Sequence, residues 1–259
     1  PAAGIAGAAI ASSVSEAVSL LFFIIYTSMT ADKRKYGFRR AFTLGPHLLK
    51  GMLSISGWTM VQSFISVSIW FIFFLAIEHL GERPLAVTNI VRNISALLIM
   101  VISAFATTAG ALISNQIGAG EQRCLFKTCG MTLKLTYAIL IPLLIILCLF
   151  PESVLRAFTD SPSLIAASVN SVYVMASSTL IMAPSFILFN AVSGTGNTRA
   201  GFIMEMISLA VYTAVIYYGI IRLKPDVALC WFSEHVYGVT LIFLAWWYLK
   251  SGKWRGKKV

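Results

Sequence analysis

The sequence predicts an all-α fold, a polytopic bundle of about seven transmembrane helices. Three observations carry that prediction. Charged residues make up 12% of the chain, about half of the ~25% usual in soluble domains. Hydrophobic residues make up 58%, and the mean hydropathy is +0.83. The apolar residues also fall in long blocks rather than in alternation. About 20 such residues at 1.5 Å rise cross a bilayer core of ~30 Å. A membrane barrel would instead show roughly ten-residue segments with a period of two, and the sequence has none.

Block one, about residues 4–29, opens with small residues such as Gly7, Ala8 and Ser12, which permit close helix contact in lipid. Residues 31–50 are too polar to span: they hold Lys33, Arg34, Lys35, Arg39, Arg40 and Lys50, with Gly45-Pro46 as a stop. Block two is about 51–80. Gly81-Glu82-Arg83-Pro84 then makes a tight connection, with Pro84 suited to a helix start. Block three, 85–117, is long and ends at Gly118-Ala119-Gly120. Block four, 124–150, contains Pro142 as a kink site, and a polar connection covers 151–162. Block five, 163–192, contains Pro184 and leads into the turn Ser193-Gly194-Thr195-Gly196-Asn197. Blocks six (200–221) and seven (227–249) flank the short connection Arg222-Leu223-Lys224-Pro225-Asp226, and a basic tail, 250–259, follows.

The net charge of +10 does not point to nucleic acid, because the basic residues gather at block ends, as membrane proteins require. Fourteen Lys and Arg lie in 31–50, in the connections after blocks three and five, at Lys127 in the first turn of block four, and in the tail. Only Arg83, Arg156, Arg222 and Lys224 lie on the other side. That bias places residues 31–50 and the tail in the cytoplasm. Cys124, Cys129, Cys148 and Cys230 form no CxxC pair, and no His pair completes a metal set; neither a metal nor a cofactor is expected. The chain opens at Pro1 in a small-residue stretch without the basic segment of a signal peptide. It therefore reads as a cut through a larger protein with more helices upstream.

Polar groups inside a span are costly and are functional candidates by default. Block two has Gln62 deep in the span. Block three has Asn89, Arg92 and Asn93, at i, i+3 and i+4 on one helix face. Block five has Ser177, Ser178 and Thr179 near mid-span, and then Asn190; such hydroxyls commonly bond the backbone near a kink like Pro184. Gln62, Asn89, Arg92, Asn93 and Asn190 are the candidates for lining a substrate cavity, with snorkelling to the headgroups as the alternative for Arg92. Three carboxylates are candidates for binding a coupling ion: Glu16 near the middle of block one, Glu205 about one turn inside block six, and Glu234 about two turns inside block seven, followed by His235. Desolvation disfavours the ionised carboxylate, which suits exchange of a proton or cation. An interhelical hydrogen bond is the structural alternative, and Glu205 is shallow enough to be interfacial.

Three stretches together resemble one family. Block three ends Asn115-Gln116-Ile117-Gly118-Ala119-Gly120. Block five ends Ser193-Gly194-Thr195-Gly196-Asn197-Thr198-Arg199, and block one opens Gly4-Ile5-Ala6-Gly7-Ala8-Ala9. In order and at this spacing they are similar to the eighth, tenth and sixth helices of the multidrug and toxic compound extrusion (MATE) transporters. The resemblance implies one lobe of a two-lobe, twelve-helix transporter. Residues 1–30 would be the last helix of the preceding lobe, 31–50 the basic loop between lobes, 51–249 the six-helix C-terminal lobe, and 250–259 a cytoplasmic tail. The missing N-terminal lobe, the bilayer and a small organic solute are then the expected partners, and transporters built from such repeats hold the substrate between the halves. Gly118, Gly120, Gly194 and Gly196 fall at helix ends, where they can take positive φ as caps or act as hinges in alternating access. The resemblance also implies an acidic coupling residue mid-way along the seventh or tenth helix in some members. Blocks two and five carry none, since Glu78 stands at a helix end. Coupling then falls to the missing lobe or to Glu234, with H⁺ or Na⁺ as the ion.

The function expected is secondary antiport at the plasma membrane, exporting organic solutes or drugs against protons or sodium. A lipid-linked precursor flippase of the same superfamily is the alternative; it calls for a strongly basic cavity, and Arg92 is its only support. A membrane enzyme needs a His, Ser/His or paired-Asp constellation in the spans. Only His235 is embedded and no Asp lies in a span, so an enzyme is not expected.

Overall fold

The structure is a computed structural model and describes residues 4–30, 46–252 and 254. The basic loop as far as residue 45 and most of the tail lie outside the described residues. The helices, in order, are α1 (Gly4–Thr30), α2 (Pro46–Glu78), α3 (Glu82–Gly118), α4 (Leu125–Leu149), α5 (Pro151–Leu155), α6 (Pro162–Gly194), α7 (Thr198–Val215), α8 (Val227–Cys230) and α9 (Ser233–Ser251). There is no strand among the described residues. Seven helices among them are long and apolar enough to cross a membrane. α2 opens at Pro46, so residues 46–50, read from the sequence as loop, are helical; proline's fixed φ suits a first helical turn.

The chain divides into two units, Pro1–Leu53 and Ser54–Val259. The described part of the first is α1 and the start of α2. α1 is predominantly apolar, and Glu16 on it is exposed. In the second unit α6 is the central helix. It packs along α3, α4 and α9 and buries Val172, Met175, Met182, Ala183 and Ile187. Toward their motif-bearing C-terminal ends α3 and α6 meet backbone to backbone: a Cβ on Gly194 would collide with the carbonyl of Gly110, and one on Gly110 would stand 2.9 Å from the carbonyl oxygen of Asn190. Outside α6, Phe73, Ala76 and Ile77 of α2 pack with Tyr212, Ile216 and Ile220.

Three local features depart from the seven uninterrupted blocks. The polar connection after α4 contains the short helix α5, with Pro151 at its start. Block six ends in a π-helical stretch, Ile216–Arg222. Block seven breaks at Trp231–Phe232 into α8 and α9. There the amides of Glu234 and His235 bond three residues back, to the carbonyls of Trp231 and Phe232. The break turns Trp231 inward, where it is 2% exposed and meets Phe73 edge to face at 5.8 Å.

Candidate functional site

Glu205 lies on α7, seven residues after its first residue, Thr198, or about two turns in. It is only 4% exposed, so it sits inside the bundle. Its Oε1 accepts from the Ser66 hydroxyl of α2 at 2.8 Å and from the Tyr237 phenol of α9 at 2.9 Å, while its Oε2 is 3.1 Å from that phenol. Glu234, half-buried in the first turn of α9, accepts from the Tyr212 phenol of α7 at 2.8 Å. Two Glu–Tyr pairs therefore cross between α7 and α9 in opposite directions. The Tyr212 and Tyr237 rings meet edge to face with centroids 5.8 Å apart, a favourable aromatic geometry. Glu205 and Tyr212, at i and i+7, share one face of α7, as Glu234 and Tyr237, at i and i+3, share one face of α9.

A cavity of about 250 Å³ opens beside these groups. Both glutamates, both tyrosines and Ser66 line it, and Trp70, Ile99, Met182, Phe186 and Leu209 supply apolar wall. No Lys, Arg or His is among its lining residues. Buried carboxylates without a basic neighbour suit a proton or cation, and apolar walls with a few convergent polar groups suit a small ligand. This acidic cavity does not favour the flippase alternative, which asked for a basic one.

The other sequence candidates are dispersed. Gln62 is half-buried on α2, one turn before Ser66, and its carbonyl lies 3.0 Å from the Ser66 hydroxyl. Asn89 donates from Nδ2 to the carbonyl of Leu85, and Asn190 from Nδ2 to that of Phe186, so both amides are tied to their own helices. Asn93 is exposed. The Arg92 guanidinium lies over the Phe74 ring, 5.3 Å from its centroid, and its buried Nε finds no acceptor among the described residues. None of these five lines the acidic cavity. The hydroxyls of Ser177, Ser178 and Thr179 bond carbonyls of their own helix, and Ser177 also meets His235 Nε2 at 2.9 Å.

The motif residues have structural tasks. Gln116 and the Thr128 hydroxyl lie 2.9–3.0 Å apart through both amide atoms, joining the end of α3 to α4. The side-chain oxygen of Asn197 accepts from the Ala200 amide and caps α7, while its Nδ2 donates to the Tyr248 phenol at 2.5 Å. Of the four glycines, Gly120 (φ 82°) and Gly196 (φ 77°) take the positive φ expected of caps. Gly118 and Gly194 remain helical, and Gly194 is required instead by the close approach of Gly110. Sequence reasoning missed Ser66, Tyr212 and Tyr237. The shared-face spacing of each Glu with a Tyr was the available signal.

The MatE family model matches residues 59–218. The chain is 23% identical over 221 residues to the uncharacterized transporter YisQ of Bacillus subtilis (strain 168), covering 81% of this chain and 46% of that protein. Among solved structures, the Vibrio cholerae MATE transporter VcmN in its bent form superposes with a TM-score of 0.72 at 15% identity, over 80% of this chain and 48% of that one. A MOP superfamily transporter from Pyrococcus furiosus, described as having a binding pocket of reverse polarity, superposes with a TM-score of 0.68 at 14% identity, over 77% of this chain and 44% of that one. The chain thus spans a little under half the length of the relatives it matches.

Proposed function

We propose, from the premise that this chain belongs to the MatE family, that it is the C-terminal lobe of a secondary antiporter. The full protein would export organic solutes or drugs by alternating access, driven by an inward-moving ion. Residues 31–50 and the tail would face the cytoplasm, and a preceding lobe of the same polypeptide would close the central cavity. Gln62, Asn89, Arg92, Asn93 and Asn190 would contact the solute, and Glu16 would belong to the last helix of the preceding lobe.

The observation that carries this reading is the pair of carboxylates, Glu205 and Glu234, on one cavity within the spans and with no basic residue on its wall. Such groups are expensive inside a membrane and mark ion paths. The test is efflux of a panel of organic dyes from proteoliposomes holding the full-length protein, with imposed proton or sodium gradients. Export that needs one of the gradients and falls at least tenfold in Glu205→Gln/Glu234→Gln is expected. Dye movement indifferent to every ion gradient would overturn antiport.

A further inference from the structure

The hydrogen-bond geometry at Glu205 bears on its protonation. The Ser66 hydroxyl has one proton but two oxygens within bonding distance: the carbonyl of Gln62 at 3.0 Å and Glu205 Oε1 at 2.8 Å. Neither a carbonyl nor an ionised carboxylate can donate. If Glu205 is ionised, one of the two contacts therefore lacks a proton. If Glu205 carries a proton on Oε1, that proton goes to Ser66 Oγ, the Ser66 proton goes to the Gln62 carbonyl, and the Tyr237 proton goes to Oε2 at 3.1 Å. Ser66, Gln62 and Tyr237 are then each served by a proton of their own, and the 2.9 Å approach of the phenol to Oε1 is the second arm of the Tyr237 contact, with no heavy atom displaced.

We infer that the coupling cation of this lobe is a proton, and that it binds as the Oε1–H of Glu205 between Ser66 on α2 and Tyr237 on α9. The inference rests on the antiport reading for its role but not for the site itself. On release the proton leaves Oε1, and the Ser66 proton swings from the Gln62 carbonyl to the carboxylate. Loading reverses both moves, so one proton is bound per cycle at this site.

The surroundings agree. The titratable groups lining the cavity beside Glu205 are Tyr212 from α7 and Glu234 and Tyr237 from α9; α2, α3 and α6 contribute none. No fixed cation there balances a second negative charge, so a neutral Glu205 is compatible with its 4% exposure. A metal ion needs about six oxygen ligands at bonding distance. Here the Glu205 oxygens meet two hydroxyls, those of Ser66 and Tyr237. Among the described residues, no three His, Cys, Asp or Glu side chains gather to hold a metal ion.

The test is infrared difference spectroscopy on the purified full-length protein between acidic and alkaline pH. The wild type should show a protonated-carboxyl C=O band that grows as pH falls and that sodium, at constant ionic strength, leaves unchanged. Glu205→Gln should abolish this band, while Glu234→Gln should keep it. Tyr237→Phe and Ser66→Ala keep the acid but remove one hydrogen bond each, so both should move the band's frequency even if Glu205→Gln folds poorly. A band that survives in Glu205→Gln, that neither hydroxyl variant moves, that does not titrate, or that sodium suppresses would overturn the proposal. Dye movement indifferent to every ion gradient, with the Glu205 band and its titration unchanged, would refute antiport and leave the proton site standing.

Discussion

The Tyr137 hydroxyl of α4 donates to the carbonyl of Leu180 on α6 at 2.7 Å, and that carbonyl is the one that Pro184, four residues on, leaves without a helical donor. A proline inside a helix has no N–H to give, and lipid offers no replacement. The phenol of a neighbouring helix supplies it. Tyr137→Phe is expected to lower stability by about 1–3 kcal/mol, the cost of a polar group left unsatisfied away from water. Pro184→Ala restores the amide donor, so the same Tyr137→Phe change in that background should cost distinctly less. Unfolding of the full-length protein in micelles, run as a double-mutant cycle, measures the difference. Equal costs in both backgrounds would show that the phenol does not replace the missing amide.

Gly194 and Gly118 make a matched pair, since both are helical residues at the ends of motif helices. A Cβ at Gly194 strikes the backbone carbonyl of Gly110, whereas one at Gly118 meets nothing within 4 Å. Gly194→Ala must therefore push α6 away from α3, at a cost of about 1–3 kcal/mol. Gly118→Ala is expected to be neutral or stabilising, because alanine is the better helix former. Thermal unfolding of the two variants checks the contrast.

Arg92 is a half-buried cation whose Nε has no acceptor among the described residues, and its guanidinium lies over the face of Phe74. A charge held in this way is a poor source of stability. Arg92→Met keeps most of the stem, and it is expected not to lower the melting temperature while changing which dyes the full protein exports. A large loss of stability with unchanged dye preference would make the arginine a packing element of α2 and α3.

Topology follows from the fourteen-to-four Lys and Arg bias. Single cysteines placed in residues 31–45 or after residue 252, in a background without the four native cysteines, should resist a membrane-impermeant maleimide in intact cells. Cysteines placed near Arg83 or Arg222 should react. The reverse pattern would invert the orientation.

The spans, the connections and the individual in-span acids were legible in the sequence, because lipid imposes a one-dimensional rule: each span needs a long apolar run, and each charge within it is an exception. The proline at 184 announced an orphaned carbonyl in the same way. What answered these local demands was decided only by tertiary structure. Ser66 and Glu205 are 139 positions apart, and no periodicity relates α2 to α7 or α9, so nothing in the sequence paired them. Tyr137 and Leu180 met only because α4 packs on α6. Gly194 read as a turn glycine, yet it is helical and serves a helix crossing, because the space beyond its Cα is set by Gly110 on another helix. Hydropathy fixes where a helix must lie along the chain; which faces meet depends on shape and hydrogen-bond complementarity between segments that are distant in sequence.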